Sequence, residues 1–554
     1  MSTGPSRRSL LQAAGVTTAL AATGFSLTAC STSGGKGADI GNKGKTLVPY
    51  PTYVPSTIAP TPDLPGTAEG VQPAYLKYPE PKDGGLEKPG DGSKISIWTS
   101  SWAATPLPKA KNKYWQELEK ALGVELDITV VPAAEYNKKL ATLQASGEMP
   151  DIMQMVSTPN EAQFVLAKCQ DLSDFVSGDN IKKYPNLAAI PTYAWKAVGR
   201  FSGKLYGIPV ERPVAGHRLF VNQAKFKQAG LLVPEVGGIG VDQFTAGLKQ
   251  LSGKGHWALG AEQGGAFGFN TWMPAFGTPG MWSVKDGAFS YYMETDEFRA
   301  GLEQMVKWQQ AGIYRPNALT IDGLTADVEF KGQKVYSRAN SGISFTSTGA
   351  DPKLAFEVDN VLPFKPSNGA APTHWLGSGM YGYTAVKKAS KARVELILRV
   401  LNHLAAPFGT KEHELIRYGV EGTHFTRNAD GDPIKTDLAN TQGGGRDSLG
   451  VQYLAEAPQA LYVPGNAEVT KREHAFQQKV LPIGVTNAAD GLRTSAWTSI
   501  QESLMQHRED AIKDIVMGRK KVSAWPEVLK EFERRGGKKA AEALAEEYEA
   551  AQKA

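Results

Sequence analysis

Between residues 94 and 155 the hydrophobic period switches four times, and this alternation restricts the fold more than any other feature of the chain. Ile95-Ser96-Ile97-Trp98 alternates with the period of two that marks a strand, and residues 111–122 place Trp115, Leu118 and Leu122 on one face of a helix. Residues 124–131 read as a second strand, stopped by Pro132. Residues 134–146 read as a second helix (Tyr136, Leu140, Leu143), closed by Gly147. Asp151-Ile152-Met153-Gln154-Met155 is a third short strand after Pro150. Strands that alternate with helices predict a parallel sheet and an α/β fold. In such sheets ligands bind beyond the carboxyl ends of the strands. Further along, residues 205–210 and 218–221 read as strands and 241–251 as a helix. Thr295 is placed to cap a helix that carries Phe298, Leu302, Met305 and Val306. Residues 391–404 and 507–517 and the tail from Lys538 are helical in pattern, with Gly536-Gly537 stopping the helix before the tail.

The first thirty residues carry a different kind of signal. Arg7 and Arg8 precede a mildly apolar run, residues 13–27, too weak for a stable membrane span. A basic head, a short apolar middle and small residues before a cut site describe a secretory signal peptide, and the paired arginines point to the twin-arginine route. The segment ends Leu27-Thr28-Ala29-Cys30, which resembles the lipobox of bacterial lipoproteins. That resemblance implies cleavage after residue 29 and a diacylglycerol on the Cys30 thiol. The expected place of the protein is then the outer face of the cytoplasmic membrane. Cys169 is the other cysteine, so an acylated Cys30 leaves no disulfide within the chain, and Cys169 reads as a small buried hydrophobe.

Residues 30–92 change in composition, with ten prolines between Pro49 and Pro89. Such a stretch cannot build its own core and reads as a Pro/Gly-rich tether. Tyr50, Tyr53, Tyr75 and Tyr78 point to partial docking on the body. The body itself, residues 93–554, is long enough to bury a large core. Of the formal net charge of +5, two charges leave with Arg7 and Arg8, and the chain has no polybasic run. Nucleic acid is therefore a poor partner.

Several segments resemble one family, the extracellular solute-binding proteins of carbohydrate ABC importers, in the branch of large aldouronate- and oligosaccharide-type lipoproteins. The matching pieces include Ala145-Ser146-Gly147-Glu148-Met149-Pro150-Asp151-Ile152, Tyr206-Gly207-Ile208-Pro209-Val210-Glu211-Arg212-Pro213 and Leu401-Asn402-His403-Leu404-Ala405-Ala406-Pro407-Phe408-Gly409. Tyr418-Gly419-Val420-Glu421-Gly422-Thr423-His424-Phe425, Gly518-Arg519 and Ser523-Ala524-Trp525 complete the series. The resemblance implies a two-lobed periplasmic-binding-protein fold of type II, with a ligand cleft between lobes joined by hinge crossings. The crossings fall near residues 208–212 and 379–384. One lobe takes about 93–211 plus part of the chain after 382, the other about 213–378 plus C-terminal segments. It also implies an oligosaccharide or other small solute as ligand and the permease subunits of an ABC importer as partners. Membrane contact would come through the lipid alone, and the chain would act as a monomer without a cofactor. Related alginate-binding proteins carry a calcium loop after the helix that corresponds to 241–251. Here that place reads Leu251-Ser252-Gly253-Lys254-Gly255-His256-Trp257, which offers no carboxylate, so no metal is expected.

Sugars are held by aromatic faces together with planar polar groups, in pockets with apolar walls. Several aromatics stand in Gly- or Ser-rich, strand-to-loop settings. Trp102 follows the first strand, Asn270 and Trp272 lie in Phe267-Gly268-Phe269-Asn270-Thr271-Trp272, and Trp375 and Tyr381 precede the second crossing. A core position is the alternative for each tryptophan. Arg212 at the first crossing offers a planar fork of donors, or an ion pair with Glu211. Ser347 is a further hydrogen-bonding candidate. Trp115, Trp308 and Trp525 read as core. Two other classes share these features, an exported carbohydrate-active hydrolase and a ligand-sensing subunit for a membrane kinase. A hydrolase needs two placed carboxylates, and no His-Glu-x-x-His, Gly-x-Ser-x-Gly or Walker motif occurs. The sequence therefore reads as a binding protein rather than an enzyme.

Overall fold

The computed structural model describes residues 40–158, 161–261, 266–318, 321–441 and 446–552. The expected signal peptide and Cys30 lie outside the described residues. The two larger sheets are built from β1 (Lys94–Ser101), β2 (Glu125–Pro132), β3 (Ile152–Met155), β4 (Ile208–Glu211), β5 (His217–Asn222), β6 (Ser337–Ser341), β7 (Val358–Val361) and β8 (Met380–Val386). The helix between β1 and β2, Lys113–Leu122, starts two residues later than its hydrophobic period suggests. Asn112 caps it by accepting the Trp115 amide at 3.1 Å. Gly123 and Gly147, at φ of 68° and 72°, end this helix and the next in the left-handed region that favours glycine.

The first sheet runs β2-β1-β3-β8-β4. β1 is parallel to β2 and β3, as the strand–helix alternation requires. β8 is antiparallel to both β3 and β4, so the sheet expected to be parallel is parallel over its first three strands and mixed as a whole. The reason is connectivity. β8 enters from the second sheet and not through a crossover helix, so nothing forces it to run parallel. The second sheet, β6-β5-β7, is antiparallel throughout. The chain leaves the first sheet at Glu211 and returns to it at Met380. These two residues are paired in the sheet, and the Arg212 N–H donates to the Gly379 carbonyl at 3.0 Å.

Each sheet has its own core. Ile95, Ile97, Leu118, Leu122 and Ile152 pack with Leu398 and Leu401 of the helix Lys391–Leu404. Phe244, Trp272, Trp282, Phe298, Trp308 and Trp525 share a second core. Trp115, Trp308 and Trp525 are buried as expected, and the Trp525 indole donates to the Met293 carbonyl at 3.0 Å. Cys169 is buried, and loss of solvation pushes its thiol up to about 12. No helix among the described residues is long and apolar enough to cross a membrane.

The tether reading does not hold for residues 40–92, which run across the body. Ile40 is buried beside Phe201, and its carbonyl accepts from the Ser202 amide at 3.0 Å. The Asn42 amide donates to the Glu547 carboxylate on the helix Gly537–Gln552. Val71 packs with Val214 and Phe476, while Tyr75 and Tyr78 are buried against Phe408. Tyr53 stays exposed. Proline prevents regular structure in this segment, but its scattered apolar side chains find pockets on the body and its backbone groups pair there.

Candidate functional site

The carboxyl end of β1 is fixed by a polar cluster. Ser100 donates through its amide and its hydroxyl to the Gln154 side-chain oxygen, at 2.8 and 2.9 Å. The Thr99 hydroxyl reaches the Gly450 carbonyl at 2.9 Å, and that of Ser101 reaches the Asp447 carbonyl at 2.6 Å. The next residue is Trp102, which is 67% exposed. Its indole N–H donates to the Tyr381 hydroxyl at 3.1 Å. Tyr381, on β8, lies 4.7 Å from the Tyr453 ring centroid at a tilt of 34°. The Arg212 guanidinium sits 5.4 Å and 5.6 Å from the centroids of these two tyrosines. Its Nη1 donates to the Glu456 carboxylate at 2.9 Å and to the Glu211 carbonyl at 2.7 Å. Three aromatic rings and one Arg–Glu pair thus meet where the chain crosses between sheets. Flat apolar faces beside clustered donors and acceptors suit a polyhydroxylated ring.

The alternative reading of Arg212, an ion pair with Glu211, does not hold: Arg212 pairs with Glu456 instead. The Glu211 carboxyl is buried, accepting the Tyr193 hydroxyl at 2.6 Å and the Gln459 amide at 3.0 Å. Burial raises its pKa from an ordinary 4.5 to about 7, despite the lowering effect of these two donors. The folded chain therefore holds this proton more tightly than the unfolded chain. The resulting stability is fully present below about pH 4.5 and is lost as pH rises through 7. Glu211→Gln, a permanently neutral mimic, is expected to remove up to about 3 kcal/mol of that pH dependence. Denaturant unfolding at pH 5 and pH 8 checks this, and equal slopes for both proteins would refute it.

On the second sheet, His217 opens β5 with its Nδ1 at 3.1 Å from the Asn270 side-chain nitrogen. Both side chains are exposed. Surrounding protein, and then the Arg218 charge, lower the His217 pKa below its ordinary value. Behind it Arg218 pairs with Glu473, and each side chain is 2% exposed.

Of the residues picked from sequence, Trp102, Arg212 and Tyr381 come together, and Asn270 stands on the second sheet's side beside His217. Trp272 is only 3% exposed, donates to the Phe267 carbonyl at 2.8 Å, and is a core residue. Trp375 is half-buried on Phe269 and Tyr292, its indole on the Thr278 carbonyl at 2.9 Å. Ser347 lies exposed on the helix Gly342–Gly349, with no tie to the aromatic cluster. Sequence reasoning missed Tyr453, Glu456 and His217. The available signal was Tyr453-Leu454-Ala455-Glu456-Ala457-Pro458, an aromatic and an acid before a proline, just after a glycine run.

A family model described as bacterial extracellular solute-binding protein matches residues 113–401. The polygalacturonan/rhamnogalacturonan-binding protein YtcQ of Bacillus subtilis is 24% identical, over 84% of this chain and 92% of that protein. Among solved structures, a solute-binding protein of Bifidobacterium longum infantis, described as HMO-binding and associated with an ABC transporter, aligns with a TM-score of 0.61 at 13% identity. The alignment covers 83% of this chain and 99% of that one. The S. pneumoniae ABC-transporter substrate-binding protein FusA, solved with kestose, gives 0.61 at 17% identity, with 83% and 99% covered. These structures share the α/β fold of this chain.

Proposed function

Because this chain belongs to the bacterial extracellular solute-binding proteins, we propose that it captures an oligosaccharide between its two lobes and delivers it to an ABC importer without turnover. The observation that carries the reading is the shelf of Trp102 and Tyr381, backed by the buried Tyr453, beside the Arg212–Glu456 pair at the crossing between the sheets. A sugar ring laid on such a shelf buries its C–H faces while its hydroxyls meet the polar pair. The glycan-binding relatives named above support the same class of ligand. Export through the signal peptide and acylation of Cys30 complete the proposal. The lipid holds the capture protein close to its permease and raises the effective concentration of loaded protein there.

Calorimetric titration of the full chain against a panel of neutral and acidic oligosaccharides tests the reading. At least one glycan is expected to bind with unit stoichiometry and to be recovered intact. Trp102→Ala is expected to weaken that binding about tenfold, about 1.4 kcal/mol, as loss of a well-placed aromatic anchor does. Recovery of cleaved sugar would overturn the binding-protein reading. Unchanged affinity in Trp102→Ala would move the site elsewhere.

A further inference from the structure

The charges at these strand ends narrow the class of glycan, on the premise that the ligand is a glycan at all. Arg212 is already matched by Glu456 at 2.9 Å, with their side chains 14% and 12% exposed. Arg218 is matched by Glu473 inside the protein. On β6, Arg338 pairs with Asp327 at 2.9 Å. Lys435 pairs with Asp447 at 3.0 Å, and the Asp447 carbonyl is the group that holds Ser101 next to Trp102. Lys109, in the loop that follows Trp102, pairs with Glu119 at 2.6 Å. His217 faces the Asn270 amide. Among the described residues, then, each of these cations already has its own carboxylate.

We infer that the site takes uncharged oligosaccharides, through vicinal hydroxyls shared between Arg212 and Glu456, and discriminates against uronates. A ligand carboxylate accepts hydrogen bonds but donates none, so it can use only the arginine half of the pair. To do so it must sit beside the Glu456 charge, which repels it. A hydroxyl both donates and accepts, so two neighbouring hydroxyls satisfy Arg212 and Glu456 together. The aromatic shelf gives no preference between the two classes, because a sugar and its uronate present the same C–H faces.

The test is calorimetry of the full chain against matched pairs: gluco-, galacto- and manno-oligosaccharides, each beside the uronate of the same linkage and length. The neutral member of a binding pair is expected to bind at least tenfold more tightly. Its affinity is expected to change less than twofold between low and high salt, since no net ion pair forms. Glu456→Gln is expected to improve uronate affinity at least fivefold relative to its neutral partner. Tighter binding of uronates by the wild-type protein, or a Glu456→Gln protein with an unchanged preference, overturns the inference and leaves the glycan reading standing. Failure of every glycan in both classes removes that reading, and this inference with it. Salt-insensitive preference for neutral sugars supports the inference even where Glu456→Gln does not fold.

Discussion

Trp272→Ala is expected to lower the stability of the protein by about 3–5 kcal/mol, the range for deleting a large aromatic from a packed core. It is expected to affect glycan affinity less than Trp102→Ala does. Trp272 packs against Trp308 with centroids 4.9 Å apart, and against Phe244 at 6.4 Å. Its indole also has a local task. Phe267 stands at φ 63°, a costly conformation for a phenylalanine, and its carbonyl is held by the Trp272 indole and by the Tyr314 hydroxyl at 3.0 Å. Alanine removes the ring contacts and one of the two donors that hold this backbone. Denaturant unfolding followed by fluorescence measures the loss, with calorimetry of the folded variant alongside. A protein of unchanged midpoint that has lost its ligand would return Trp272 to the binding site.

Glu473→Ala is expected to cost a similar amount, about 3–5 kcal/mol, because it leaves the Arg218 guanidinium charged, buried and without its carboxylate. The two side chains are among the least accessible ionised groups described, and Arg218 also caps the Ala215 and Gly216 carbonyls, at 3.2 and 3.0 Å. Glu473 accepts from Asn360 at 3.0 Å and from Gln477 at 2.8 Å. The pair therefore ties β5 to β7 and to the helix Ala467–Val480, directly behind His217. A double-mutant cycle with Arg218→Met separates coupling from packing. The double variant is expected to be more stable than Glu473→Ala, since it no longer buries a lone charge. A cost below about 1 kcal/mol for Glu473→Ala would mean that the pair behaves as a solvated surface bridge.

Much of the fold was legible because it is written in short periods. The alternation between Ile95 and Met155 fixed three strands and two helices of the first sheet, and glycines 123 and 147 marked where those helices stop. Helical spacing also identified Trp115 and Trp308 as core. The site was half legible. Strand-to-loop context selected Trp102, Arg212 and Tyr381, but it selected Trp272 on equal terms. Both tryptophans have small or polar neighbours in sequence, and only packing decides that one is covered by Phe244 and Trp308 while the other faces solvent.

By itself, then, the sequence determined the α/β class and the family. These depend on residues within a few positions of one another, where periodicity, capping and turn chemistry act. Tertiary structure alone decided the rest. It set β8 antiparallel in the first sheet, laid residues 40–92 onto the body, and brought Glu456 to Arg212 across 244 positions. Such pairings follow from which surfaces exclude water together and which buried charges must be matched. Neither condition leaves a local pattern in the chain.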